Sequence, residues 1–262
     1  MDLESRENQI FLTIVACVVW TTISVVFESM FTFKAVSTKV DHDIKNRFVS
    51  IIHGLLLLVL AAYNIFHDQP SFTANNSNIQ LFLLLVSMAY FVYDYIACYY
   101  YGIADKALAI HHGLAIFGYL VAIHYNNSTL ALCGMFYGET SNAFMHIRVI
   151  LREFGKRYTK LHEVFDVLYM VTYILARGVF MTKVNYDTLF VSGIPILLRV
   201  ACIGLWVQSL IFAKEMIFIL QRKYKQFLER RKKSVHYFWL TENPEIKNLS
   251  YTRKEKKEAV FQ

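Results

Sequence analysis

The chain has 262 residues, 56% of them hydrophobic and only 18% charged, with a formal net charge of +7. Soluble domains carry roughly 25% charged residues, so the composition argues against a soluble enzyme domain. The excess of basic residues sits between long apolar blocks and matches no nucleic-acid-binding module, which points to membrane topology and lipid headgroups rather than to nucleic acid.

The apolar blocks approach the ~20 residues that a helix needs to cross a ~30 Å hydrocarbon core. Seven spans are predicted, at about 9–33, 47–66, 79–101, 107–125, 129–150, 163–182 and 190–220. The fold class is therefore an all-α integral membrane protein. Met1 to Asn8 is acidic and the first block is longer than a cleavable signal sequence, so residues 1–40 read as a retained signal-anchor helix with its following loop. The fifth span is the least apolar, because it holds Glu139, Asn142 and His146. Pro195, after Ser192-Gly193, predicts an irregular entry to the last span. Cys17, Cys98, Cys133 and Cys202 each fall inside an apolar block without C-x-x-C or metal-ligand spacing, and read as reduced packing residues. No metal or other cofactor is called for.

The Lys and Arg residues alternate between the connections. Lys34, Lys39, Lys45 and Arg47 follow span one, Lys106 follows span three, Arg148, Arg152, Lys156, Arg157 and Lys160 follow span five, and a run from Arg222 to Lys233 follows span seven. The other side has Arg6 and Lys183. The positive-inside rule then makes the N-terminus lumenal and the C-terminus cytosolic. Asn75-Asn76-Ser77, Asn126-Asn127-Ser128 and Asn127-Ser128-Thr129 match the glycosylation sequon and fall on the lumenal side. Residues 226–262 read as a basic cytosolic tail, either a solvated, partly disordered end or a contact for anionic lipid.

Ionisable groups at bilayer depth are costly and need partners. Counting 1.5 Å per residue, His53, Asp94, His111, His112 and Asn142 all lie about 6–10 Å in from the cytosolic ends of their spans. Four spans thus place polar groups in one layer. Glu139, Asn142 and His146 recur at i, i+3 and i+7 and share one helix face. Arg177 and Arg199 suggest a second layer nearer the lumen, with Glu139 as the acidic candidate for Arg177. His53 and His146 also suit plain interhelical hydrogen bonds, Asp94 could accept a hydroxyl from Tyr90, Tyr93 or Tyr95, and Arg148 reads as a topology charge. The adjacent His111 and His112 point about 100° apart, so both cannot face lipid without cost.

Several of these pieces, in this order and spacing, resemble the TLC-domain family. They are Asn46-Arg47-Phe48-Val49-Ser50 with His53; Tyr90-Phe91-Val92-Tyr93-Asp94; Asp105-Lys106 before His111-His112; Glu139-Thr140-Ser141-Asn142-Ala143-Phe144 with Arg148; and Arg177. The resemblance covers roughly 41–225, a six-span domain, and is nearest to the small TLC-domain proteins outside the ceramide synthases. It implies a barrel-like helical bundle around a lipid-accessible cavity, in the endoplasmic reticulum or a connected membrane, up to the plasma membrane. Ceramide synthases follow the paired histidines with a His-Asp and a second Asp. Here those positions resemble Gly138, Glu139 and Asn142.

Three functions follow as expectations. The first is a protein that binds or handles membrane lipid and helps set membrane lipid composition, its cavity lined by Arg47, His53, Asp94, Glu139, Asn142, His146 and Arg177. The second is an acyl-CoA-dependent N-acyltransferase of sphingoid bases, with His111 or His112 as the base and acyl-CoA as co-substrate. The third is a helper of membrane insertion. The sequence leaves homo-oligomerisation open.

Overall fold

The computed structural model describes Leu3 and residues 5–249. The charged run Arg253-Lys254-Glu255-Lys256-Lys257-Glu258 lies outside the described residues. The described chain is helical: α1 (Arg6–Met30), α2 (Thr38–Tyr63), α3 (Asn78–Tyr100), α4 (Lys106–His124), α5 (Thr129–Glu139), α6 (Asn142–Glu153), α7 (Lys160–Tyr173), α8 (Met181–Thr188) and α9 (Ile196–Lys232). π-helical turns continue α2 over Asn64–Asp68 and join α7 to α8 over Ile174–Phe180. Six continuous helices are long and apolar enough to cross a membrane, and this is an integral membrane protein.

The ends of the helices follow local chemistry. Side chains of Ser5, Ser37, Asp105 and Thr159 accept hydrogen bonds from the first-turn N–H groups of α1, α2, α4 and α7. Ser77 and Gln80 form a reciprocal capping box at the start of α3. Gly193, with φ +92°, and Pro195 turn the chain into α9.

Six segments close a ring, in the order α2, α3, α4, α9, α7, α6 and back to α2. α3 is the most enclosed crossing, and α1 packs outside the ring against α3 and α2. Trp20 pins α1 by donating from Nε1 to Val86 O (3.2 Å). At the end of the bundle that carries most of the Lys and Arg, hereafter the basic end, the buried Lys45 ammonium bonds Glu28 of α1 (2.9 Å) and Asp41 of α2 (2.7 Å). His42 Nδ1 lies 2.9 Å from the other oxygen of Glu28, so both carboxylates are already engaged within the protein.

Two expectations are corrected. The fifth crossing is not one helix: it breaks at Thr140-Ser141 into α5 and α6, of 11 and 12 residues. The break is tolerated because the freed backbone is buried in protein rather than exposed to lipid. The basic tail is not simply a solvated end. α9 continues to Lys232, and the chain then folds back so that Val235, Ile246 and Leu249 form a small core with Tyr158 and Tyr237. The backbone N–H groups of Lys160 and Leu161 donate to Phe238 O (2.8 Å) and Trp239 O (3.2 Å).

Candidate functional site

The site grows out of α2, α3 and α4. Asp94, on the face of α3 turned into the ring, is 4% exposed and accepts from Asn46 Nδ2 at 2.7 Å. Tyr93 does not bond Asp94; its hydroxyl donates to Asn46 Oδ1 (3.0 Å), and Tyr90 donates to Ser50 Oγ (2.8 Å). The tyrosines therefore hold the α2 partners and leave the second carboxylate oxygen to α4. That oxygen lies 2.7 Å from His112 Nε2. The other ring nitrogen of His112, Nδ1, lies 2.9 Å from Leu108 O. A backbone carbonyl can only accept, so Nδ1 carries a proton. A proton then lies between Nε2 and the Asp94 carboxyl, and both nitrogens of His112 are occupied.

His111 differs. It points into the same space, with Phe91 and His112 as ring neighbours (6.0 and 5.9 Å between centroids). Neither a carboxylate nor a backbone carbonyl holds its ring. His53 stacks on Tyr90 (3.6 Å between centroids), meets Trp20 edge-on and bonds Ser87 Oγ (3.2 Å). His146 Nδ1 faces Arg47 Nη1 at 3.4 Å. Because arginine only donates, that contact requires the tautomer of His146 with its proton on Nε2.

The helix break supplies the opposite wall. Asn142 Nδ2 donates to Glu139 Oε2 (2.9 Å), and Arg177 Nη2 donates to Gly138 O (2.6 Å) and to Asn142 Oδ1 (3.0 Å). Arg177 also lies over the Tyr173 ring, 5.0 Å from its centroid. Arg177 and Glu139 are thus joined through Asn142. Arg177 does not form a second layer near the far end: it sits at the same level as Glu139 and Asn142, because its helical run extends on to Thr188. Arg199 is separate, donating to Leu189 O (2.8 Å) and to Val191 O. Arg148 is more than a topology charge. It pairs with Asp166 (2.8 Å) and lies 4.5 Å from the Tyr169 ring centroid.

A cavity of about 290 Å³ collects these groups. Its walls include His53, Asp94, His111, His112, Glu139, Asn142, His146 and Arg177. A smaller adjoining space of about 70 Å³, beside Tyr119, Trp206 and Gly138, continues from His111, Glu139 and Arg177. Arg47 is not on the wall and reaches it through His146. Two buried polar atoms on these walls make no hydrogen bond within the protein, Arg177 Nε and Gln208 Oε1. Reading the sequence missed Asn46 as the second clamp on Asp94, and Gln208 and Ser209 on the wall from α9. The signal for the last pair was present: two adjacent polar residues in an apolar span.

A family model of the TLC domain matches residues 43–228, more than two thirds of the chain. The chain belongs to the TLC-domain family. The matched segment starts within α2 and ends inside α9, so the TLC domain is the ring with its cavity, and α1 stands outside it. No solved structure matches the chain. A TLC domain in an integral membrane protein relates this chain to membrane lipid. Within it, the TLC-domain polar layer draws on α2, α3, α4, α5, α6, α9 and the π-helical turn before α8. π-helical turns inside α-helices occur frequently at functional sites.

Proposed function

We propose that this TLC-domain protein binds the polar end of a membrane lipid in the cavity around His111 and thereby takes part in setting membrane lipid composition. One observation carries the reading: both nitrogens of His112 are spent, on Asp94 and on Leu108 O. A histidine base works by keeping one nitrogen oriented and the other free for the incoming proton, and His112 has no free nitrogen. The unpaired Arg177 Nε donor, with Gln208 Oε1 beside His111 as a nearby acceptor, favours a ligand offering an acceptor and a donor, such as an amide or a hydroxyl-bearing lipid. At about 290 Å³ the cavity suits a polar end and not a whole lipid, so the chains would extend between helices.

The second reading, acyl-CoA-dependent N-acylation of a sphingoid base, rests on His111, the cavity imidazole with no carboxylate or backbone carbonyl on its ring, only the Gln208 side chain beside it. The third, a helper of membrane insertion, gives no use to an enclosed polar layer. The same proposal places the N-terminus in the lumen and the C-terminus in the cytosol, in the endoplasmic reticulum or a connected membrane. The test is mass spectrometry of lipid carried through purification, beside an assay of sphingoid base with a panel of acyl-CoAs. Lipid bearing an amide or hydroxyl, lost in Arg177→Met and Gln208→Leu, is expected, without turnover. Robust turnover abolished by His111→Ala would replace the binding reading with the enzyme.

A further inference from the structure

A second, larger cavity lies outside the polar layer. α9 has 37 residues and is therefore about 55 Å long, roughly 25 Å more than a hydrocarbon core. The extra length emerges at the basic end, beside the first turns of α7 and under the folded-back chain from Val235. Between them is an open groove of about 1340 Å³.

Its floor is apolar and its rim is cationic. Val164, Leu168 and Phe227 on the floor are more than a third exposed, an apolar strip continuous with the lipid-facing start of the α7 crossing. Around them stand five basic residues, Lys160, Lys223, Lys225, Arg230 and Arg231, against one carboxylate, Glu163. Their roles divide. Lys223 ties the two walls together through Glu163 (2.7 Å) and Asp166 (2.6 Å), and Arg230 adds a contact to Glu163 (3.3 Å). Lys225 and Arg231 are exposed and form no ion pair among the described residues. The backbone bonds from Lys160 and Leu161 hold Phe238 and Trp239 beside Lys160, and Phe238, Trp239 and Leu240 are each at least half exposed. Exposed aromatic and aliphatic side chains beside basic ones are the composition of a surface that enters the headgroup layer.

We propose that this groove is a binding site for an anionic phospholipid of the leaflet at the basic end, with its phosphate between Lys225 and Arg231 and an acyl chain along Val164, Leu168 and Phe227. Charge complementarity selects the occupant. A neutral lipid would use the floor and leave the rim unused. The site is independent of the polar cavity, and the lipid reading there can fail without touching it.

The experiment is native mass spectrometry of the full-length protein released from nanodiscs of phosphatidylcholine and phosphatidylserine. Wild type should carry phosphatidylserine well above its share of the bilayer. Lys225→Gln/Arg231→Gln should lower that enrichment by roughly thirty-fold, at about 1 kcal/mol per basic residue near the surface. Its thermal midpoint in pure phosphatidylcholine should match wild type, which separates lost binding from lost folding. Lys34→Gln/Lys39→Gln removes two exposed charges elsewhere at the same end and should leave the enrichment in place. No enrichment in wild type overturns the proposal, and so does an equal loss in the Lys34/Lys39 variant, which would mean diffuse surface attraction. Displacement of the phosphatidylserine by equimolar palmitoyl-CoA would also overturn it, by naming a different occupant.

Discussion

A β-carbon added to Gly54 would lie 2.6 Å from Glu139 Oε2, so the absence of a side chain on α2 is what lets a carboxylate of α5 rest against it. Gly54→Ala should push the carboxylate away from Asn142 and lower stability by about 1–3 kcal/mol. The strain is specific to the carboxylate, so Gly54→Ala should cost much less in a Glu139→Ala background. Thermal midpoints of the four proteins in one detergent would measure the coupling. Equal costs in both backgrounds would mean that Gly54 matters for another reason.

The Asp94–His112 pair is buried and fully hydrogen-bonded. Asp94→Leu or His112→Leu alone should cost about 3–5 kcal/mol, because each strands a buried partner. Replacing both should restore part of that loss. Unfolding followed in mild detergent would show it, and a double variant as unstable as the sum of the single ones would contradict the pairing.

Arg177 serves two acceptors and a ring from one planar group. Arg177→Lys keeps the charge but cannot reproduce the fork. It should behave closer to Arg177→Met than to wild type, both in stability and in bound lipid. Retention of wild-type behaviour by the lysine variant would show that charge alone suffices.

Orientation is testable without any function. Tags at the two ends in sealed microsomes should give protection of the N-terminal tag and digestion of the C-terminal one, following the positive-inside reading. The reverse pattern would invert the topology.

The crossings were legible because apolar blocks of membrane length have few other uses. The alignment of His53, Asp94 and His112 followed from helical rise alone, since the helices that carry them run nearly the depth of the bundle, and Asn142 joined them because it starts the short α6. The break at Thr140-Ser141 was not legible: it has neither proline nor glycine at the turn, and Glu139, Asn142 and His146 fit one face of a continuous helix equally well. Arg177 was misplaced for a related reason. Ending its span near 182 put it close to the far surface, whereas α8 runs on to Thr188 and draws it to mid-depth. The pairing of Lys223 with Glu163 joins residues 60 apart in sequence, and no local pattern marks such a contact.

The broken crossing also sets an order of events during synthesis. Neither α5 nor α6, at 11 and 12 residues, reaches across the hydrocarbon core alone, so the pair must enter the bilayer together. The ribosome delivers Glu139 and Asn142 some 35 residues ahead of Arg177. Until the later segment arrives, the polar turn can lean only on α2, α3 and α4, already in place. The nascent protein therefore passes through a stage at which its own ring is open on one side, with a carboxylate facing the gap, and closure waits on the last third of the chain.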